Sequence, residues 1–209
     1  MAEGKLTKRP LKVGLTGSIG SGKSTAAQLL KALGASLIDS DALAREAAQD
    51  PDVLTEIARK LGGDLIKDGQ LERAKTAERV FNDPAALETL NGIIHPWVRR
   101  ESSRRVAELE AAPAPPEVII LDIPLLFENG LEKTLDAVVV VDAPLELRLE
   151  RVVRRSGLSE AEARARDSAQ MPLADKVKRS DYVIQNDGTL DALDTEVARV
   201  WAALTQKGA

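Results

Sequence analysis

A doubly wound parallel α/β sheet is the fold this sequence predicts, and three observations carry that expectation. Residues 11–16 form a short apolar run that enters a glycine-rich turn and then a stretch with helical spacing. Residues 118–121 and 137–141 are unbroken aliphatic, largely β-branched runs, the pattern of strands buried on both faces. Helix-spaced segments separate these runs, and strand–helix alternation of this kind winds helices over both faces of a parallel sheet. Adding residues 37–38 and 182–185 makes five strands, in a 209-residue chain long enough for one such domain.

Taken in order, the first helix covers 24–33, with Ala26, Leu29, Leu30 and Leu33 on one face and Gly34 placed to end it. The second strand ends on Asp39 and Asp41. Residues 42–112 show no strand signal. Leu54, Ile57, Ala58 and Leu61 share a helical face that Gly62 and Gly63 stop, and Leu87, Leu90, Ile93 and Ile94 share another that Pro96 is expected to break. This section is too long for a plain strand-to-helix connection and reads as a helical insert. The proline-rich residues 113–116 are a short rigid spacer. Pro144 opens a helix that reaches Ser156 and ends at Gly157, and Ser159 with Glu162 has the spacing of a capping box. Thr189 caps a last helix whose expected buried stripe is Leu190, Leu193, Val197, Val200, Trp201 and Leu204.

Composition removes several function classes. There is no cysteine, hence no disulfide and no thiolate metal site, and the single histidine excludes a polyhistidine site within one chain. Any metal is then a hard, oxygen-liganded ion such as Mg²⁺. A net charge of −4 lacks the basic footprint of a nucleic-acid binder. Residues 1–10 are polar with no apolar signal region, and no apolar run is long enough to span a bilayer, so a cytoplasmic protein with no membrane partner is expected.

The turn after the first strand reads Gly17-Ser18-Ile19-Gly20-Ser21-Gly22-Lys23-Ser24, the G-x-x-x-x-G-K-[ST] pattern of a P-loop. Glycines allow the backbone to curl and aim several N–H groups at a β-phosphate, and the helix opening beside Lys23 adds its positive end. Lys23 is expected to span the β- and γ-phosphates of ATP, Ser24 to be a ligand of Mg²⁺ held largely by ATP and water, and Thr25 to approach the α-phosphate. The alternative, a chance glycine-rich turn, is disfavoured because a strand precedes the motif and an amphipathic helix follows it. No NKxD guanine signature occurs. Asp122 ends the third strand as a Walker B acid would, yet Pro124-Leu125-Leu126 follows where an ATPase motor carries a second acid.

On the acceptor side, Asp39 and Asp41 sit just past the second strand, at the edge where doubly wound sheets gather ligands. In an extended segment a spacing of two points both carboxylates the same way. One can take the proton of an attacking hydroxyl while the other orients water or caps the next helix; the competing reading is that both merely cap it. Arg148, Arg151 and Arg155 lie on one helical face, and Arg154, Arg164, Arg166, Lys176, Lys178 and Arg179 follow. Such a run is either a solvated face or a mobile basic lid over a transferring phosphoryl group.

Together these residues resemble the dephospho-CoA kinase family along nearly the whole chain. The matching segments are residues 14–25, Leu37-Ile38-Asp39-Ser40-Asp41, Arg73, Val80-Phe81, His95-Pro96, Pro124-Leu125-Leu126-Phe127-Glu128, Arg151 and Arg155, Arg166 with Gln170, and residues 180–188. The resemblance implies a P-loop kinase fold with a five-stranded doubly wound parallel sheet. It divides the chain into a core (about 10–44, 113–153 and 180–209), a helical CoA-binding insert (about 45–112) and a lid (about 154–179). It implies transfer of the ATP γ-phosphoryl group to the ribose 3′-hydroxyl of dephospho-CoA, with Mg²⁺; a monomer is favoured, though the sequence does not fix the oligomeric state. Asp41, Lys23 and Arg151 are its implied catalytic residues. Residues 17–25 with Arg155 and Asn186 bind ATP, and Asp39, Asp41, Arg73, His95, Leu125 and Glu128 line the acceptor site. Lys176 matches a basic lid position. The chain departs from the family at Asp167, where an apolar residue is usual beside the lid arginine, and at Ser180, which precedes Asp181 in place of alanine. Other P-loop small-molecule kinases, and a nucleotide-dependent switch, are the competing functions.

Overall fold

A computed structural model describes residues 9–208, so residues 1–8 of the polar N-terminal stretch lie outside the described residues. In chain order the elements are β1 (Leu11–Gly17), α1 (Lys23–Ala32), β2 (Ser36–Asp39), α2 (Ser40–Ala47), α3 (Pro51–Leu61), β3 (Ile66–Lys67), β4 (Gln70–Leu71), α4 (Arg73–Asn82), α5 (Pro84–Glu110), β5 (Val118–Asp122), β6 (Ala137–Asp142), α6 (Leu145–Ser156), α7 (Glu160–Ser168), α8 (Leu173–Arg179), β7 (Tyr182–Gln185) and α9 (Leu190–Gly208). They make two compact units, Asp39–Glu108 and the residues on either side of it.

The larger unit is built on the expected five-stranded sheet, in the order β2-β5-β1-β6-β7. β1 pairs in parallel with β5 and with β6, and β6 with β7; Val13 stands opposite Ile120 on one side and Ala137 on the other. The unbroken aliphatic runs are explained by helices on both faces. In β6, Ala137, Val139 and Val141 join Leu30, Val197, Val200 and Leu204 in one core, while Val138 and Val140 join Leu126, Phe127 and Leu173 in another. α9 contributes Leu193, Val197, Val200 and Leu204 as expected, with Trp201 partly buried against them. Leu190 departs from the expected stripe and is 63% exposed, because it opens the helix one turn ahead of the residues that pack on the sheet.

The unit Asp39–Glu108 corrects two expectations. Pro96 does not break its helix: α5 runs through it. Proline removes one hydrogen bond to the Gly92 carbonyl, a loss that packing on both sides outweighs. Ile93 and Leu90 before it, and Trp97 after it, join Val53, Ile57 and Leu65 in one cluster, and the Trp97 indole donates to Asp50 Oδ2 at 3.0 Å. That bond, with amide donors from α3, holds the Asp50 carboxyl below its ordinary value. Second, a two-stranded antiparallel ribbon, β3–β4, interrupts the helices. Its turn residues Asp68 and Gly69 both have positive φ, 51° and 73°, the left-handed pair that an Asp-Gly hairpin turn requires. Among the described residues no helix is long and apolar enough to cross a membrane.

Candidate active site

β1 delivers the phosphate-binding loop to the carboxyl edge of the sheet and α1 carries the chain away from it. Among the described residues five other helices begin with a side-chain cap: Asp39 on α2, Asp50 on α3, Asp83 on α5, Thr189 on α9 and Ser159 on α7, the last with the reciprocal Glu162 bond of the expected capping box. α1 differs. Its N-cap is Gly22, no side chain caps it, and its first turn holds no acid. The helix end thus keeps its partial positive charge and its N–H donors for an external anion. Ser18 Oγ and Ser21 Oγ are buried in the same loop without a protein hydrogen-bond partner among the described residues. Lys23 Nζ donates to Asp122 Oδ1 at the end of β5. Ser24 and Thr25 are exposed at the helix start. These features fit a polyphosphate.

The loop has almost no room for added atoms. At Gly20, with φ 77°, a Cβ would lie 2.3 Å from the backbone oxygen of Arg148. At Gly22, with φ 91°, it would lie 2.0 Å from Asn186 Nδ2. Gly20→Ala combines a backbone-to-backbone clash with a left-handed φ. It is expected to cost about 2 kcal/mol or more of stability and to weaken ATP binding about tenfold or more, checked by thermal unfolding and by calorimetric titration with a non-hydrolysable ATP analogue.

Asn186, expected at the nucleotide, joins this loop, and Arg151, expected at the transferring group, is bonded to Asn186. Asn186 is buried beyond the end of β7 and donates from Nδ2 to the Ser21 carbonyl at 2.7 Å. Arg151 on α6 donates to the Asn186 backbone oxygen at 3.0 Å and to its Oδ1 at 3.3 Å. Arg155, one turn further along α6, is exposed.

The basic run after β6 is not uniform. Arg148 is only 5% exposed, with Nε on the Ala143 carbonyl at 3.1 Å, Nη1 on the Ile19 carbonyl at 3.3 Å, and a close ion pair to Asp167. Asp167, the departure from the family pattern, is thus the counter-ion of a buried arginine. Lys176 is not a free lid cation. It is fully buried, paired with Glu128 Oε1 at 2.8 Å, and lies 3.4 Å from the Pro124 carbonyl, which also accepts from Thr16 Oγ1 at 3.0 Å. Glu128 further accepts from the Met171 N–H at 3.0 Å, so this expected substrate contact anchors the start of α8; Leu125 nearby is 39% exposed.

Burial alone would push the Glu128 carboxyl up, but the Lys176 and Met171 hydrogen bonds outweigh it and hold its pKa below the ordinary 4.5. A depressed carboxyl stabilises the fold fully above about pH 4.5, and that contribution is lost as pH falls through the lower folded value. Glu128→Gln leaves the Lys176 ammonium without its counter-ion. It is expected to cost about 3 kcal/mol, lower Tm by roughly 6–12 °C, and flatten the acid limb of the stability profile, measured by urea unfolding between pH 3 and 7.

In the unit Asp39–Glu108 the acid pair divides its roles. Asp39 caps α2, its Oδ1 accepting from the Asp41 N–H at 2.8 Å and the Ala42 N–H at 3.1 Å, with Arg45 3.8 Å from Oδ2. The chain is helical from Ser40, so the extended-strand argument that aimed both carboxylates one way ends at Asp39. Asp41 is exposed in the first turn, and its side chain makes no hydrogen bond or ion pair among the described residues. Arg73 is exposed at the start of α4. His95 is half-buried on α5, where desolvation first and the Arg99 cation second push its pKa down, leaving a neutral imidazole at pH 7.

Two features escaped the sequence reading. Asp122, set aside there, is the partner of Lys23; the acid closing an aliphatic strand was its signal. The joining of Arg148, Asp167 and Gln170 at Ile19 had no local signal.

For Mg²⁺ the available donors are hard oxygens, the Ser24 hydroxyl and the Asp122 carboxylate. No group of three or more His, Cys, Asp or Glu side chains able to hold a metal occurs among the described residues. That donor set suits an ion carried mainly by phosphate and water.

The sequence model of the dephospho-CoA kinase family matches residues 11–192. Dephospho-CoA kinase of Deinococcus radiodurans is 47% identical over 190 residues, covering 90% of this chain and 89% of its own, and that of Thermus thermophilus is 42% identical over 202 residues, covering 97% and 96%. Among solved structures, dephospho-CoA kinase from Campylobacter jejuni superposes with a TM-score of 0.68 at 28% identity, covering 95% of this chain and 98% of that one. Shikimate kinase from Acinetobacter baumannii shares the fold, with a TM-score of 0.53 at 19% identity over 97% and 98% of the two chains.

Proposed function

Because this chain belongs to the dephospho-CoA kinase family, we propose that it moves the γ-phosphoryl group of ATP to the ribose 3′-hydroxyl of dephospho-CoA by in-line displacement, releasing CoA and ADP. The observation that carries the reading is the uncapped, acid-free start of α1 beside Lys23, a site made for a polyphosphate. The loop N–H groups and the α1 terminus bind the phosphates, and Lys23 leaves Asp122 to neutralise charge on the γ-group. Ser18 and Ser21 bring buried hydroxyls to the same loop. Ser24 and Asp122 would hold Mg²⁺, which when bound would supply positive charge to offset that of the phosphates. Asp41 accepts or orients the proton of the attacking hydroxyl, for which an exposed carboxylate with no internal partner is suited. Arg73 and the neutral His95 bind the acceptor, one offering charge to its phosphates and the other a hydrogen bond. Arg151 and Arg155 supply positive charge as the phosphoryl group transfers.

The reading extends to a cytoplasmic, monomeric enzyme whose partners are ATP and dephospho-CoA, with no nucleic-acid or membrane partner. Its support is the acidic net charge and the cysteine-free composition. Steady-state ADP release across a panel of hydroxyl acceptors, including shikimate, gluconate and nucleoside monophosphates, tests it. Dephospho-CoA should exceed every other acceptor in kcat/KM by orders of magnitude; equal or better turnover of another acceptor would assign a different small-molecule kinase.

A further inference from the structure

The phosphate loop is gripped at one residue from the side of α7. Ile19 donates its N–H to Gln170 Oε1 at 3.2 Å and accepts from Arg148 Nη1 on its carbonyl at 3.3 Å. Its side chain packs with Leu158 against Leu149, Val152 and Ala163, the buried contact between α6 and α7. Both polar groups and the side chain of this one loop residue are therefore committed to elements far away in sequence. Arg148 reaches Ile19 only because its buried guanidinium is held between the Ala143 carbonyl and the Asp167 carboxylate. The backbone oxygen of the same Arg148 lies against Gly20, the next residue of the loop.

We propose that Asp167 and Gln170 are positioning residues for ATP: acting through Arg148 and directly, they fix the backbone on both sides of Ile19 and so hold the loop in its phosphate-binding shape. Neither side chain touches the reacting atoms. Asp167 neutralises and orients Arg148, which takes the Ile19 carbonyl, while Gln170 takes the Ile19 N–H; each of the two peptide units that meet at the Ile19 Cα is thus held by one bond. A loop freed of one restraint samples more conformations, and ATP must then select the competent fraction, so the loss falls on nucleotide affinity and not on the chemical step. The inference builds on the reading of this loop as an ATP cradle.

The test uses the full chain and two independent readouts. Gln170→Ala should raise the KM for ATP about three- to tenfold while kcat and the KM for dephospho-CoA stay within about twofold. Asp167→Ala should do the same, and Asp167→Asn, which keeps an oxygen to orient Arg148 but removes its counter-ion, should raise the KM for ATP by less than Asp167→Ala does. Hydrogen exchange of the Ile19 amide, followed in the protein without substrates, should quicken about tenfold in Gln170→Ala and remain slow in Gln170→Glu, which retains an acceptor. If Asp167→Ala fails to fold, Gln170→Ala, at a partly exposed site, still decides. Unchanged exchange at Ile19 overturns the clamp. Faster exchange with an unaltered KM for ATP also overturns the proposal, leaving a purely structural contact. Failure of the ATP reading would look different: the unaltered protein would release no ADP, whereas the exchange measurement would be unaffected.

Discussion

Lys23→Met is expected to lower kcat on the order of 10³-fold, equivalent to about 4 kcal/mol of transition-state stabilisation. Lys23 is the one basic side chain of the loop, its ammonium bonded to Asp122, and the proposed step reassigns that donor to the phosphate of ATP. Methionine keeps most of the side-chain length, so the loss reads the charge more than the packing. Circular dichroism and thermal unfolding separate this from misfolding: the variant should unfold within a few degrees of the unaltered protein. Single-turnover rates at saturating ATP should carry the defect. A loss confined to the KM for ATP, with kcat intact, would mean that Lys23 binds the ground state and does not act on the transition state.

Asp41→Asn should lower kcat about 10²-fold or more while the KM for ATP moves by less than about threefold, since a general base contributes to the chemical step and not to nucleotide binding. The substitution is nearly isosteric at an exposed helix position whose side chain has no partner among the described residues, so stability should be unchanged. Asp39→Asn supplies the contrast. Asparagine caps a helix as well as aspartate does, so α2 survives and activity should fall far less. A kcat for Asp41→Asn within about threefold of the unaltered enzyme would remove Asp41 from the base role.

How much of this was legible in the sequence follows the range of the forces involved. The phosphate loop, the five strands, the α6 stop at Gly157 and the Ser159–Glu162 cap are local, written in glycines, aliphatic runs and short side-chain-to-backbone bonds, and all were read directly. Pro96 was misread because its local penalty is real but smaller than the packing of Ile93 and Trp97 on either side. The β3–β4 turn was announced by Asp68-Gly69, a signal overlooked beside the helical periodicity around it. The acid pair falls at the end of β2 as read, but its geometry was misjudged, because the helix already begins at Ser40 and no extended segment carries Asp39 through to Asp41.

Charge was the hardest to read. One basic run contains a buried arginine paired with Asp167, a buried lysine paired with Glu128 and an exposed Arg155, and nothing in the local sequence sorts them. Each fate is decided by a partner that only the tertiary fold brings near. The same holds for Ile19, whose peptide is held by residues from beyond β6.

The central claim is that this site phosphorylates the ribose 3′-hydroxyl of dephospho-CoA. Its most direct measurement is ADP release with and without dephospho-CoA, with the phosphorylated product quantified and its phosphate located by ³¹P NMR. One CoA should form for each ADP released, carrying the new phosphate at the 3′ position, with only slow ADP release when the acceptor is withheld. ADP release indifferent to dephospho-CoA, or a product phosphorylated elsewhere, would contradict the account.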